Sequence, residues 1–304
     1  MSAGSDHRSR KRTDVTQEGN AGSRRIDVWI FALLPMAIVL TVVFAIPVGG
    51  LGLLSFHEMV GPAQIGSAVT LANYRAFLTD PFFLTILLDT FGLGFAVVGC
   101  CLVIAYPVAY FLARLQSRFR GLLLFLVVSP LLVSAVVRNI GWFPILGDQG
   151  LVNWLLLSLG LIRAPFKLMS NFTGVVIGLV HALLPFMLLT MTTVIQRIEP
   201  ELEEAAANLG AGPLQRFWRV LLPLSLPGAL AGSLLVFTMA ISAYTTPAIL
   251  GGNRVLVMAT YIAQQFRTVL DYPAGATAAS VLVLTVGMLS YLALRLRPGG
   301  PGGQ

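Results

Sequence analysis

Long apolar runs alternate along this chain with short polar stretches. Six runs reach or approach the roughly 20 residues needed to cross the hydrocarbon core of a bilayer. They cover residues 28–54, 83–113, 121–137, 172–196, 226–246 and 274–294, the third being the shortest. Pro35, Pro47, Pro107, Pro130 and Pro185 fall inside them. Membrane helices tolerate such prolines where neighbours satisfy the freed backbone groups. The pattern therefore predicts six transmembrane helices. "GLVNWLLLSLGLI" at 150–162 is apolar but too short to span. It reads as an interfacial or re-entrant helix, with Trp142 and Trp154 suited to the headgroup level. Residues 255–268 read as a second short helix.

The stretch between the fourth and fifth spans has a helical periodicity of its own. Pro200 suits a first helical turn. Leu202, Ala205, Ala206 and Leu209 then fall at i, i+3, i+4 and i+7, one apolar stripe. Glu201, Glu203 and Glu204 lie near the positive end of that helix. Gly210 is placed to end it in a left-handed conformation. Gly212 and Pro213 start a second short helix with a stripe of Leu214, Phe217, Trp218, Leu221 and Leu222, and Pro223 and Pro227 are expected to stop it before the next span. A helix that lies on a membrane surface is rich in Lys and Arg. This one carries carboxylates, which points to a protein partner, with the membrane surface as the alternative.

Composition agrees with the pattern. Of the 304 residues, 56% are hydrophobic and only 11% charged, against about 25% charged in soluble domains. The class is an all-α integral membrane protein. Cys100 and Cys101 are adjacent within an apolar run and read as buried thiols. The net charge of +7 reflects topology and no nucleic-acid partner. With the N-terminus in the cytoplasm, fourteen Lys and Arg fall inside and six outside, as the positive-inside rule requires. Both termini are then cytoplasmic. Residues 1–27 read as a disordered basic tail, 28–297 as the transmembrane domain with its polar loop at about 197–225, and 298–304 as a Gly/Pro-rich tail.

No catalytic constellation is present. His57, Glu58 and His181 lack metal-ligand spacing, and no Gly-Lys-Ser/Thr phosphate loop occurs, so this chain has no metal or cofactor of its own and ATP must be hydrolysed elsewhere. An ionisable group inside a span is by default a functional candidate. Asp89 is one, with pairing to a neighbouring helix or to water at the mouth as the alternative. His181 is another, weighed against a packed, hydrogen-bonded role. Tyr244, Thr245 and Thr246 end the fifth span where a pathway or gate would lie. Arg138 and Asn139 read as interface anchors.

Glu204, Ala205 and Ala206, then Gly210, then Val220, Leu222 and Pro223 after nine residues, resemble the EAA motif of ATP-binding-cassette importer permeases, with Val220 where isoleucine is usual. "LANYRAFL" (71–78), "AYPVAYFLAR" (105–114), "SPLLVSAVVRNIGW" (129–142), "GLVHALLPFMLL" (178–189) and "TTPAILGG" (245–252) look like the polyamine-type branch. Asp89 departs from the neutral amide of many relatives. The resemblance implies a type I importer permease fold in the bacterial inner membrane. It makes the 197–225 loop a coupling helix, with Glu203, Glu204, Ala205, Ala206, Leu209, Gly210, Leu222 and Pro223 carrying the contact. Implied partners are two ATP-binding subunits holding ATP and Mg, a second homologous permease, an external solute-binding protein and membrane lipid. The implied solute is a polyamine such as spermidine or putrescine, moved by alternating access. An aminophosphonate, opine or ferric iron is the alternative cargo. An ATP-independent ion-coupled transporter or membrane enzyme is the alternative of another class.

Overall fold

The computed structural model describes residues 33–61 and 63–295. The two expected tails and the first residues of the first span lie outside that range. Residues up to Leu54 form one unit and those from Ser55 another. The first unit contributes α1 (Leu33–Leu54), 22 residues long and apolar enough to cross a membrane.

The second unit opens with an antiparallel hairpin, β1 (His57–Gly61) and β2 (Gln64–Val69), paired His57 to Val69 and Met59 to Ile65 with an irregular register. The all-helical expectation did not include it. It is tied down by α2 (Ala72–Thr79), whose Asn73 amide donates to the Ser55 and His57 carbonyls at 3.1 and 2.8 Å.

Four long helical stretches follow, all apolar enough to span: α3 (Pro81–Arg114), α8 (Phe172–Ile195), the continuous run Pro213–Ile241, and α13 (Tyr272–Arg295, spanning to Leu292). The starts are written in sequence. Pro81 occupies the first turn of α3, and the Asp80 side chain accepts from the Phe82 N–H at 2.9 Å. Asn171 caps α8 in the same way through the Gly174 N–H at 2.8 Å.

The third expected span is not one straight helix. α4 (Arg120–Val128) passes into a 3-10 turn at Ser129–Leu132, then bends by 99° into a broken run of α5 (Ala135–Gly141), α6 (Phe143–Leu146) and α7 (Leu151–Ser158). Pro130 withholds a backbone donor there, and Val133 and Ser134 are extended. The described residues thus hold five spans, or six if the bent pair counts as one. The short helix expected at 150–162 is α7. The one expected at 255–268 is α12 (Met258–Gln264) with a π turn at Gln265–Val269.

The core lies where α3, α8 and α11 (Leu222–Ile241) pack together around Leu93, Val97, Met187, Met191 and Val236. Close approach depends on glycine, as is usual between membrane helices. A Cβ on Gly94 of α3 would sit 2.7 Å from both Phe237 and Ile241 of α11, and one on Gly228 would sit 2.6 Å from Val194 of α8. A second cluster joins α2, α3, α12 and α13 through Phe77, Ile86, Met258 and Leu282.

Candidate functional site

The acidic loop between α8 and α11 is built as its periodicity predicted at the start and differs at the end. α9 runs Pro200–Asn208, with Glu201 and Glu203 in its first turn. Gly210 has φ +87. The Ala211 N–H donates to the Ala206 carbonyl at 3.0 Å and the Gly210 N–H to the Ala207 carbonyl at 2.9 Å. This pair of bonds is a Schellman motif, which needs a residue at ease with positive φ.

The expected second stop is overturned. α10 (Pro213–Arg216) continues through a π turn at Phe217–Leu221 straight into α11, and Pro213–Ile241 is one 29-residue span. A helical proline lacks a donor and crowds the carbonyl four residues earlier. For Pro223 that carbonyl belongs to Arg219, inside the π turn, where the wider i to i+5 spacing makes room. Pro227 sits within α11.

One ion pair fixes α9 to the bundle. Glu203 Oε1 lies 2.5 Å from Arg114 Nη2, Tyr110 donates its hydroxyl to Glu203 Oε2 at 2.8 Å, and Arg114 Nη1 donates to the Ile198 carbonyl at 2.9 Å. Arg114 closes α3, and Tyr110 is one turn before it. The Arg114 and Glu203 side chains are only 22% and 13% exposed. Glu203 therefore turns inward, while Leu202, Glu204, Ala205 and Leu209 (89% exposed) face out, with Ala206 half-buried. Leu222 is half-buried and Pro223 exposed where α11 begins. The Tyr110–Arg114–Glu203 cluster was not read from the sequence. Tyr and Arg one turn apart at a helix end were its only local trace.

Beside this cluster is a cavity of about 730 Å³, lined chiefly by apolar groups from α3 and the α10–α11 run, with Tyr110, Glu203 and Arg216 among its walls. Tyr106, next to the Pro107 kink, meets Ser225 hydroxyl to hydroxyl at 2.5 Å and rests edge-on against Phe217. It is a packing residue.

The other candidates do not converge. Asp89 is exposed on α3 and lines neither of the two cavities that hold His181 and Tyr244. His181 lines a cavity of about 550 Å³ at the bend of the third span, with Trp142 edge-on to its ring at 5.4 Å. Tyr244 lines a different cavity of about 560 Å³, with the Arg267 guanidinium over its ring at 5.5 Å. Thr245 is half-buried. Thr246 is buried and bonded to the equally buried Asn139 of α5, the Asn139 amide donating to its hydroxyl at 3.1 Å. No group of three or more His, Cys, Asp or Glu able to hold a metal occurs among the described residues.

Comparison with known proteins is consistent with this architecture. Residues 101–297 match the family model "Binding-protein-dependent transport system inner membrane component". The chain is 37% identical over 220 residues to the spermidine/putrescine transport system permease protein PotB of Escherichia coli (strain K12), covering 72% of this chain and 80% of that one. It is 32% identical over 265 residues to PotB of Haemophilus influenzae, covering 87% and 88%. A chain of the bacterial alginate ABC transporter, solved in complex with an alginate pentasaccharide-bound periplasmic protein, superposes with a TM-score of 0.72 at 16% identity, covering 90% of this chain and 94% of that one. This last likeness speaks to fold.

Proposed function

The chain belongs to the family of binding-protein-dependent transport system inner membrane components, and on that premise we propose that its solute is a polyamine of the spermidine or putrescine type, moved by ATP-driven alternating access. It is a multi-pass permease subunit of an importer rather than an enzyme. The assembly we propose around it has two ATP-binding subunits holding ATP and Mg, a second homologous permease and an external solute-binding protein. The excess of Lys and Arg on the face of the acidic loop supports placing that loop and both termini in the cytoplasm.

The observation that carries the coupling role is the two-faced mounting of α9. Its inner face is fixed to the end of α3 by Glu203, Arg114 and Tyr110. Its outer face offers Leu202, Glu204, Ala205 and Leu209 with no covering partner among the described residues. A load applied to the outer face passes through the ion pair into α3, the longest span among the described residues. Closure of the ATPases then biases the membrane helices between two states, as transport by differential binding requires.

The test is co-purification. The wild-type chain retains a co-expressed ATPase subunit, and Glu204→Arg or Gly210→Pro loses it. A wild type that never retains one sinks the coupling role. The solute is tested separately by competing labelled spermidine uptake with aminophosphonate, opine and ferric iron. Uptake of one of these when it is itself labelled, with labelled spermidine not taken up, replaces the polyamine assignment and leaves the coupling role intact.

A further inference from the structure

We propose that Arg138 and His181, which line one cavity at the bend of the third span, form a binding site for an oxyanion, a carboxylate or phosphate group. The site rests on the permease assignment and is independent of the polyamine reading.

Both residues line the cavity of about 550 Å³ at the bend, together with Ser129, Pro130, Val133 and Trp142. They come from separate elements, Arg138 from α5 and His181 from α8. Arg138 Nη1 and His181 Nδ1 are each buried with no hydrogen-bond partner. No Asp or Glu lines the cavity. The ion pair recorded among the described residues, Arg114–Glu203, lies elsewhere. His181 is the tenth residue of α8, about 14 Å along the helix at 1.5 Å per residue, so the site lies within the membrane.

An uncompensated guanidinium and a buried unmatched ring nitrogen are both costly there. Transporters commonly place binding sites where a span is broken and backbone and side-chain donors converge. An oxyanion supplies what is missing. The guanidinium fork matches its geometry, and a neutral imidazole protonated on Nδ1 donates a further bond. The Trp142 edge contact, at 84° between ring planes, holds the imidazole in place. Pro130 and Val133 form an apolar wall, so the occupant is an oxyanion carried on an organic body or one projecting from a lipid. A polyamine would meet the guanidinium head-on and does not belong here.

The experiment uses the full-length chain purified with its co-expressed partner subunits, in nanodiscs of phosphatidylcholine. Thermal unfolding is followed during titration with sodium phosphate or sodium acetate, against sodium chloride at matched ionic strength. A parallel arm replaces part of the phosphatidylcholine with phosphatidylglycerol and adds no free oxyanion. The wild type is expected to gain stability saturably in at least one arm. A response to free oxyanion marks a solute source, and a response to phosphatidylglycerol alone marks a lipid source. Arg138→Gln is expected to weaken half-saturation about tenfold or more, the loss of a charge-assisted bond. His181→Phe keeps a ring against Trp142 and is the second variant should Arg138→Gln not fold. No saturable response in either arm, or wild-type response in both variants, overturns the proposal. Spermidine uptake is read on the same subunits reconstituted in sealed liposomes, so its absence with the oxyanion response intact counts against the polyamine reading alone.

Discussion

Glu203 of α9 and Arg114 of α3 meet at 2.5 Å, joining residues 89 positions apart in the chain. The pair is partly shielded and backed by the Tyr110 hydroxyl and the Ile198 carbonyl. Each group therefore has more to lose than a surface ion, whose pairing is worth about 0 to 1 kcal/mol. Glu203→Gln and Arg114→Gln are expected to cost about 1 to 3 kcal/mol each, and less than the sum together. In uptake assays both single variants should transport poorly while still retaining the ATPase. Additive unfolding costs, or loss of the ATPase with normal folding, would place Glu203 in the docking face instead.

Gly210 invites a sharper test. Its φ of +87 closes the Schellman motif, and a Cβ there would meet open space. Any penalty is conformational. Gly210→Ala is expected to cost about 1 kcal/mol, and Gly210→Asn less, since asparagine tolerates the left-handed region. Limited proteolysis of the loop should rank the three as glycine, asparagine, alanine in order of resistance. Equal resistance would show that the turn is not needed.

Gly228 and Gly92 provide a matched pair within the spans. A Cβ at Gly228 would press on Val194 at 2.6 Å, whereas one at Gly92 meets nothing within 4 Å. Gly228→Ala is expected to destabilise by about 1 to 3 kcal/mol through overpacking of α8 against α11. Gly92→Ala should be close to neutral in thermal unfolding in detergent. The reverse order would contradict the helix packing described above.

These tests fall on features of unequal legibility. α9 was readable because Pro200 and Gly210 mark its ends and its stripe, from Leu202 to Leu209, runs through about two turns. The run from Pro213 to Ile241 was misread because Pro223 obeys a local rule, and the π turn that accommodates it leaves no mark in composition. The bend of the third span was half visible, in Pro130 and in the shortness of the run. The hairpin was missed since "HEMVG" and "QIGSAV" lack a clean alternation and pair in an irregular register. The inward turn of Glu203 and the engagement of Thr246 with Asn139 depend on partners far away in sequence, which periodicity does not report.

Thr246 was read as a pathway residue, and its burial against Asn139 assigns it work in packing. Removing one partner of a buried polar pair strands the other, at about 1 to 3 kcal/mol. Thr246→Val should lower thermal stability and leave solute preference unchanged, and adding Asn139→Leu should recover part of the loss. A shift in solute preference with unaltered stability would return Thr246 to the pathway.

Asp89 remains the acid most exposed to question. It lies on an open face of α3, nine residues into a span, with no ion pair among the described residues. A carboxylate facing hydrocarbon there is expensive, by about 2.5 to 3.5 kcal/mol on insertion scales. Its face is therefore expected to meet water or another polar surface. Asp89→Cys, made in a background with Cys100 and Cys101 replaced by serine, tests this directly. A membrane-impermeant charged thiol reagent should label it in the assembled transporter, and excess spermidine should slow that labelling if the residue lines the solute path. Asp89→Asn should then raise the spermidine concentration for half-maximal uptake several-fold while leaving ATPase retention intact. Labelling confined to a small lipophilic reagent would put Asp89 against lipid or a protein interface and remove it from the pathway.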